Sequence, residues 1–133
     1  MDKNDIKQAG LKVTQPRTII LKLLETSEKH HLSAEDIYQI LRDNDQNIGL
    51  ATIYRVLTQF ETAGLVIRHQ FEGGQAVFEL DSGEHHDHMV CLKTGKIIEF
   101  HDEIIEQRQK EIAAEHGFEL ADHCLVLYGE FKK

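Results

Sequence analysis

Three successive amphipathic helix signals, a hairpin signature behind them and an abrupt change of composition after residue 80 predict an α+β chain of two small domains. An N-terminal winged helix-turn-helix domain is expected over residues 1–82, and a small C-terminal α/β dimerisation domain over 83–133. With 133 residues, each half buries only a modest core, so oligomerisation would help it. The hydrophobic share of 41% and charged share of 29% suit a folded soluble protein and argue against a disordered or membrane class.

The first helix signal covers residues 14 to 26. Thr14 is the N-cap, Pro16 lies in the first turn, and Ile19, Ile20, Leu23 and Leu24 form an apolar stripe. The second begins at Ser33, with Asp36 where a capping-box carboxylate would stand and Ala34, Ile37 and Leu41 on the buried side. The third runs from about Ala51 to Ala63, with Ile53, Val56, Leu57 and Phe60 spaced i, i+3, i+4, i+7 and Gly64 ending it. Segments 65–71 and 75–80 are rich in β-formers and flank Glu72-Gly73-Gly74, a hairpin turn. Helix, helix, helix, hairpin is the order of a winged helix. Any small α+β domain can share it, so the side chains must decide.

The third helix turns Tyr54, Arg55, Thr58, Gln59 and Thr62 outward. That face suits a major groove: an Arg for phosphate or guanine, Thr and Gln for base edges, and an aromatic for thymine methyls. Thr52, Tyr54 and Arg55 are the candidate contacts on this helix, and Lys12 and Arg17 add positive charge for backbone or minor groove. An exposed polar face with one Arg is by itself more often merely solvated. The net charge of −8 is unusual for a duplex binder, whose affinity comes largely from Lys and Arg. It is unevenly placed: residues 1–80 hold nine Lys/Arg against eleven Asp/Glu, residues 81–133 six against twelve.

Six of the nine histidines also fall after residue 80, which sets a boundary near Asp81-Ser82-Gly83-Glu84. Beyond it, residues 88–92 and 96–100 read as strands joined at Lys93-Thr94-Gly95. A helix over about 102–115 ends at Gly117, and a last strand is expected over 118–128. Such a module exposes sheet edges, and pairing with a second copy around a two-fold axis covers them. The run His85-His86-Asp87-His88 is the chemical centre. In extended backbone His86 and His88 face one way and His85 and Asp87 the other, so one strand can serve two metal sites. Imidazole with carboxylate suits zinc, iron(II) or manganese better than copper(I).

A metal-dependent hydrolase is the rival from another class. The sequence has no HExxH helix, nucleophile elbow or glycine-rich phosphate loop to support it. Cys91 and Cys124 are too few for a disulfide framework and read as small buried apolar residues. His30 and His69 read as surface or hinge-polar residues rather than ligands. No apolar run approaches the roughly 18 residues of a membrane span, and the polar start Met1-Asp2-Lys3-Asn4-Asp5 is unlike a signal peptide, so a cytoplasmic chain is expected.

The string Gly49-Leu50-Ala51-Thr52-Ile53-Tyr54-Arg55-Val56-Leu57, followed by Phe71-Glu72-Gly73-Gly74, Val77-Phe78-Glu79-Leu80 and His85-His86-Asp87-His88, closely resembles the ferric uptake regulator family, and the likeness runs from Gly10 to Gly129. The resemblance implies a homodimer or dimer of dimers that represses iron-uptake genes at palindromic A/T-rich operators on double-stranded DNA. It implies two metal sites per chain, with iron(II) as the cellular ion and zinc or manganese able to substitute. One site resembles His31, Glu79, His86 and His88 with Glu99 as a further ligand; the other resembles His85, Asp87, Glu106 and His123. Tyr54 and Arg55 match the recognition-helix contacts, and Lys12 and Arg17 those at the minor groove and backbone. Zinc, manganese and peroxide sensors share the pattern, but Glu rather than Asp at positions 79 and 99 favours iron uptake. Many relatives hold a structural zinc with CxxC pairs. Here Cys91 is followed by Leu92-Lys93-Thr94, so no four-cysteine zinc is expected.

Overall fold

The computed structural model describes residues 3–72, 74–81 and 85–132. The turn glycine Gly73 and the boundary residues Ser82, Gly83 and Glu84 lie outside the described residues. The chain forms two compact units, Met1–Gly83 and Glu84–Lys133.

The first unit contains helices α1 (Lys3–Gln8), α2 (Gln15–Thr26), α3 (Ala34–Asp43) and α4 (Leu50–Thr62), then strands β1 (Val66–Gln70) and β2 (Ala76–Leu80). The expected start signals operate. Thr14 Oγ1 accepts from the Arg17 amide at 3.4 Å, and Pro lies in the first turn of α2. Ser33 and Asp36 form a reciprocal capping box on α3, each contact 3.0 Å. Gly64 leaves α4 at φ +80°, a conformation in which a side chain would be strained. Ile53, Leu57 and Phe60 of α4 are fully buried against Ile20, Leu21 and Ile37 of α2 and α3. At about 1.5–3 kcal/mol for each large side chain removed from water, this stripe fixes which face of α4 stays outside. The short helix α1 was not anticipated; its sequence is polar except for Ile6, which is fully buried in the same cluster.

β1 and β2 pair antiparallel with Ile67 opposite Glu79 and His69 opposite Val77. An isolated bridge joins Leu32 to Phe78, with amide-to-carbonyl distances of 3.0 and 2.8 Å. It ties the segment before α3 to the hairpin and brings His31 beside Glu79.

The second unit contains β3 (Asp87–Cys91), β4 (Ile97–Phe100), α5 (Glu103–Glu115) and β5 (Val126–Gly129). The sheet order is β4-β3-β5, with β4 antiparallel to β3 and β5 parallel to it. A parallel pair needs a long crossover, which α5 and the segment after it supply. The last strand is far shorter than its apolar pattern suggests: residues 118–125 are irregular, and Phe118 is 64% exposed. α5 buries none of its residues fully, and Ile104 is 80% exposed.

Candidate metal centres and nucleic-acid face

In the second unit, four side chains from separate elements meet. His85 precedes β3, Asp87 opens it, Glu106 stands in the first turn of α5, and His123 lies shortly before β5. Asp102 caps α5 by accepting from the amides of Ile104 and Ile105 at 2.8 and 3.2 Å, which fixes where the helix carrying Glu106 begins. His85 Nε2 lies 3.0 Å from Asp87 Oδ1 and 3.8 Å from Glu106 Oε1. His123 Nε2 lies 3.4 Å from Asp87 Oδ1 and 3.2 Å from Glu106 Oε1.

Those four distances can be set against the spacing that a shared ion requires. An ion bound tetrahedrally at about 2.0–2.2 Å from each ligand sets neighbouring ligand atoms about 3.3–3.6 Å apart. The observed 3.0–3.8 Å brackets that spacing. Asp87 is fully buried, and its Oδ2, together with Glu106 Oε1 and His123 Nε2, is buried without a hydrogen bond. Two carboxylates packed together in this way are costly without a cation, because buried charge needs a partner. The donor set of two imidazoles and two carboxylates fits a divalent ion such as zinc, manganese or iron(II).

Also in the second unit, His86 Nδ1 lies 3.0 Å from Glu99 Oε2, and His88 pairs with Glu99 across β3 and β4. In this unit, then, His85 stands beside Asp87 and His86 beside Glu99. In the first unit, His31 Nε2 lies 3.2 Å from Glu79 Oε2, and His69 Nε2 lies 2.6 Å from Glu79 Oε1. The sequence reading of His69 as a surface or hinge-polar residue did not include this contact with Glu79. Register is the signal that finds it: Ile67 faces Glu79, so His69 is its diagonal neighbour on the same face of the hairpin.

The outer face of α4 carries Tyr54 and Arg55, both exposed, beside half-buried Thr52. Arg55 Nη2 donates to Thr52 Oγ1 at 3.1 Å. Tyr54 donates its hydroxyl to Glu35 of α3, 2.9 and 3.0 Å from the two carboxylate oxygens. That hydrogen bond, with burial and the Glu35 charge as smaller causes, raises the phenol pKa above its ordinary value. Arg17 is engaged internally: Nε and Nη2 donate to Gln59 Oε1 at 3.2 and 2.8 Å, and Nη1 to the Lys12 carbonyl at 2.7 Å. It joins α2 and α4 to the loop that presents exposed Lys12. Neither Glu35 nor Gln59 was expected at these positions as a partner, since both contacts are long-range in sequence.

The family model described as the ferric uptake regulator family matches residues 8–128. The chain belongs to the ferric uptake regulator family. The ferric uptake regulation protein of Pseudomonas aeruginosa is 59% identical over 133 residues, covering 100% of this chain and 99% of the relative. Among solved structures, the Vibrio cholerae ferric uptake regulator, described as revealing a rearrangement of its DNA-binding domains, has a TM-score of 0.91 at 56% identity. The match covers 97% of this chain and 98% of that one. The Pseudomonas aeruginosa regulator with manganese has a TM-score of 0.84 at 58% identity, with 100% of each chain covered.

Cys91 and Cys124 are both free, and neither belongs to the ligand clusters found among the described residues. Cys91 is buried as expected, whereas Cys124 is exposed, because the segment carrying it is irregular rather than a strand. Hydrogen bonding from Thr94, then from the Phe131 backbone, lowers the Cys91 thiol to about 7. Among the described residues no helix is long and apolar enough to cross a membrane.

Proposed function

We propose that this chain is an iron-responsive transcriptional repressor that binds palindromic A/T-rich operators as a homodimer or dimer of dimers and controls iron-uptake genes. The observation that carries the reading is the cluster of His85, Asp87, Glu106 and His123, whose spacing suits a divalent ion, in a chain of the ferric uptake regulator family. His31 and Glu79 of the first unit, with His86, His88 and Glu99 of the second, supply the regulatory ligands. These five draw on both units, so their occupancy biases one arrangement of the two. The rearranged DNA-binding domains of the Vibrio cholerae relative support such a population shift.

The bound ion supplies positive charge to an acidic chain and a fixed geometry to its ligands. Asp87 and Glu106 contribute the negative charge that holds it, and His85 and His123 bind it through neutral imidazole nitrogens. Tyr54, Arg55 and Thr52 read the major groove while Lys12 reaches the backbone or minor groove; Arg17 serves as a further contact or as the brace for Lys12. The exposed apolar residues of α5 and the β4-β3-β5 edges supply the dimer surface. Iron(II) is the signal; zinc binds such nitrogen and oxygen ligands more tightly in vitro, so purified protein can carry zinc without its being the cellular cue. The test is binding to a palindromic A/T-rich duplex under anaerobic titration with iron(II), manganese and zinc, with metal content and oligomer mass recorded together. Affinity should rise with metal loading. Affinity indifferent to all three ions would overturn the reading.

A further inference from the structure

Glu79 has two carboxylate oxygens, and the first unit uses them differently. Oε2 faces His31 Nε2 at 3.2 Å, close to the spacing of two ligands sharing one ion, which is about 3.3 Å or more for a tetrahedral site. Oε1 faces His69 Nε2 at 2.6 Å. That distance is too short for two ligands of a common ion and matches a short, charge-assisted N–H to carboxylate hydrogen bond. His69 is itself braced. Its ring stacks on Phe71 with centroids 5.3 Å apart and planes 7° from parallel, and Phe71 is buried. The side chains of His69 and Glu79 are only 15% and 13% exposed, so the contact is held away from competing water.

From this we infer that His69 is a positioning residue for the metal ligand Glu79: it occupies Oε1 and leaves Oε2 as the single coordinating oxygen. The inference rests on the proposed role of His31 and Glu79 as ligands and goes beyond it. A carboxylate without this partner is free to rotate or to bind through both oxygens, which changes coordination number and weakens a site built for one oxygen. Partners of this kind contribute about 10–100-fold in metal affinity where they have been removed from other sites.

Cobalt(II) is the probe, because its visible absorption reports coordination number and geometry. The full chain should take up cobalt in two steps, one for each ligand cluster. His69→Ala should weaken one step about 10–100-fold and alter its spectrum while leaving the other unchanged. His69→Gln, whose side-chain amide can still donate to Glu79 Oε1, should restore most of the affinity and the wild-type spectrum. Circular dichroism of each variant checks that the fold is retained. Unchanged cobalt affinity in His69→Ala would overturn the inference. So would His69→Gln behaving like His69→Ala with a spectrum lacking one imidazole, since His69 would then be a ligand. If both cobalt steps of the wild type survive His31→Ala, the ligand reading itself fails, an outcome distinct from failure of the His69 assignment.

Discussion

Asp87→Asn separates a metal ligand from a merely structural buried acid, because the two roles predict opposite changes. Asp87 is fully buried, and its oxygen lies within 4.8 Å of the ligand atoms of Glu106 and both histidines. Without metal, replacing it with a neutral isostere removes a carboxylate from beside another carboxylate, so the apo protein should melt at the same temperature or higher. With zinc at a hundredfold excess over its dissociation constant, the intact centre adds about 2.7 kcal/mol. At roughly 3–5 °C per kcal/mol for a chain of this size, that is a rise of about 8–14 °C. Loss of a direct ligand should cost at least as much affinity as loss of an outer partner, about 100-fold. The same zinc concentration then adds only about 0.4 kcal/mol, a rise of about 1–2 °C. Calorimetry of apo and zinc-loaded protein, with metal content by mass spectrometry, should find about two ions on the wild type and, with this centre about half filled at the same zinc concentration, about one and a half on the variant. An apo variant destabilised by about 2 kcal/mol or more that keeps the full zinc-induced rise would refute the argument, since Asp87 would then be satisfying buried polar neighbours.

Arg17→Lys removes the forked contact to Gln59 and should lower apo stability of the first unit by about 1–3 kcal/mol in a thermal melt, even with no DNA present; unchanged stability would leave Arg17 free for phosphate. Glu35→Gln should move the Tyr54 titration, followed by phenolate absorbance, down toward its ordinary value, because the carboxylate bond is the main cause of its elevation. A raised phenol pKa means that the contact stabilises fully below the ordinary phenol value and is lost as pH rises through the elevated one. Melting temperature should therefore lose its Tyr54-dependent fall at alkaline pH in Glu35→Gln, and an unaltered alkaline profile would contradict the assignment.

Local signals made most of the fold legible. Caps at Thr14 and Ser33, the apolar spacing of α4 and the stop at Gly64 are each decided by a few neighbouring residues, and each formed as expected. The helix α1 escaped because one buried Ile6 anchors a polar hexamer, and tertiary burial leaves no period in six residues. The strand expected over 118–128 shrank to four residues because its early apolar members, Phe118 and Leu120, do not enter the sheet. The run 85–88 reads in the sequence as alternating strand, whereas β3 begins only at Asp87; the contacts of His85 with Asp87 and of His86 with Glu99 are set by the segment leading into it. His69 and Gln59 were illegible for a different reason. Their partners are set by hairpin register and helix packing, which a linear pattern does not encode.

The most direct test of the central claim compares operator affinity with and without anaerobic iron(II) for the wild type and for His86→Ala and His88→Ala. A metal-coupled repressor should gain about 5–150-fold on loading, the usual range of coupling between two sites, and each variant should stay at its apo affinity while binding the same duplex. Variants that gain as much from iron(II) as the wild type would contradict the account.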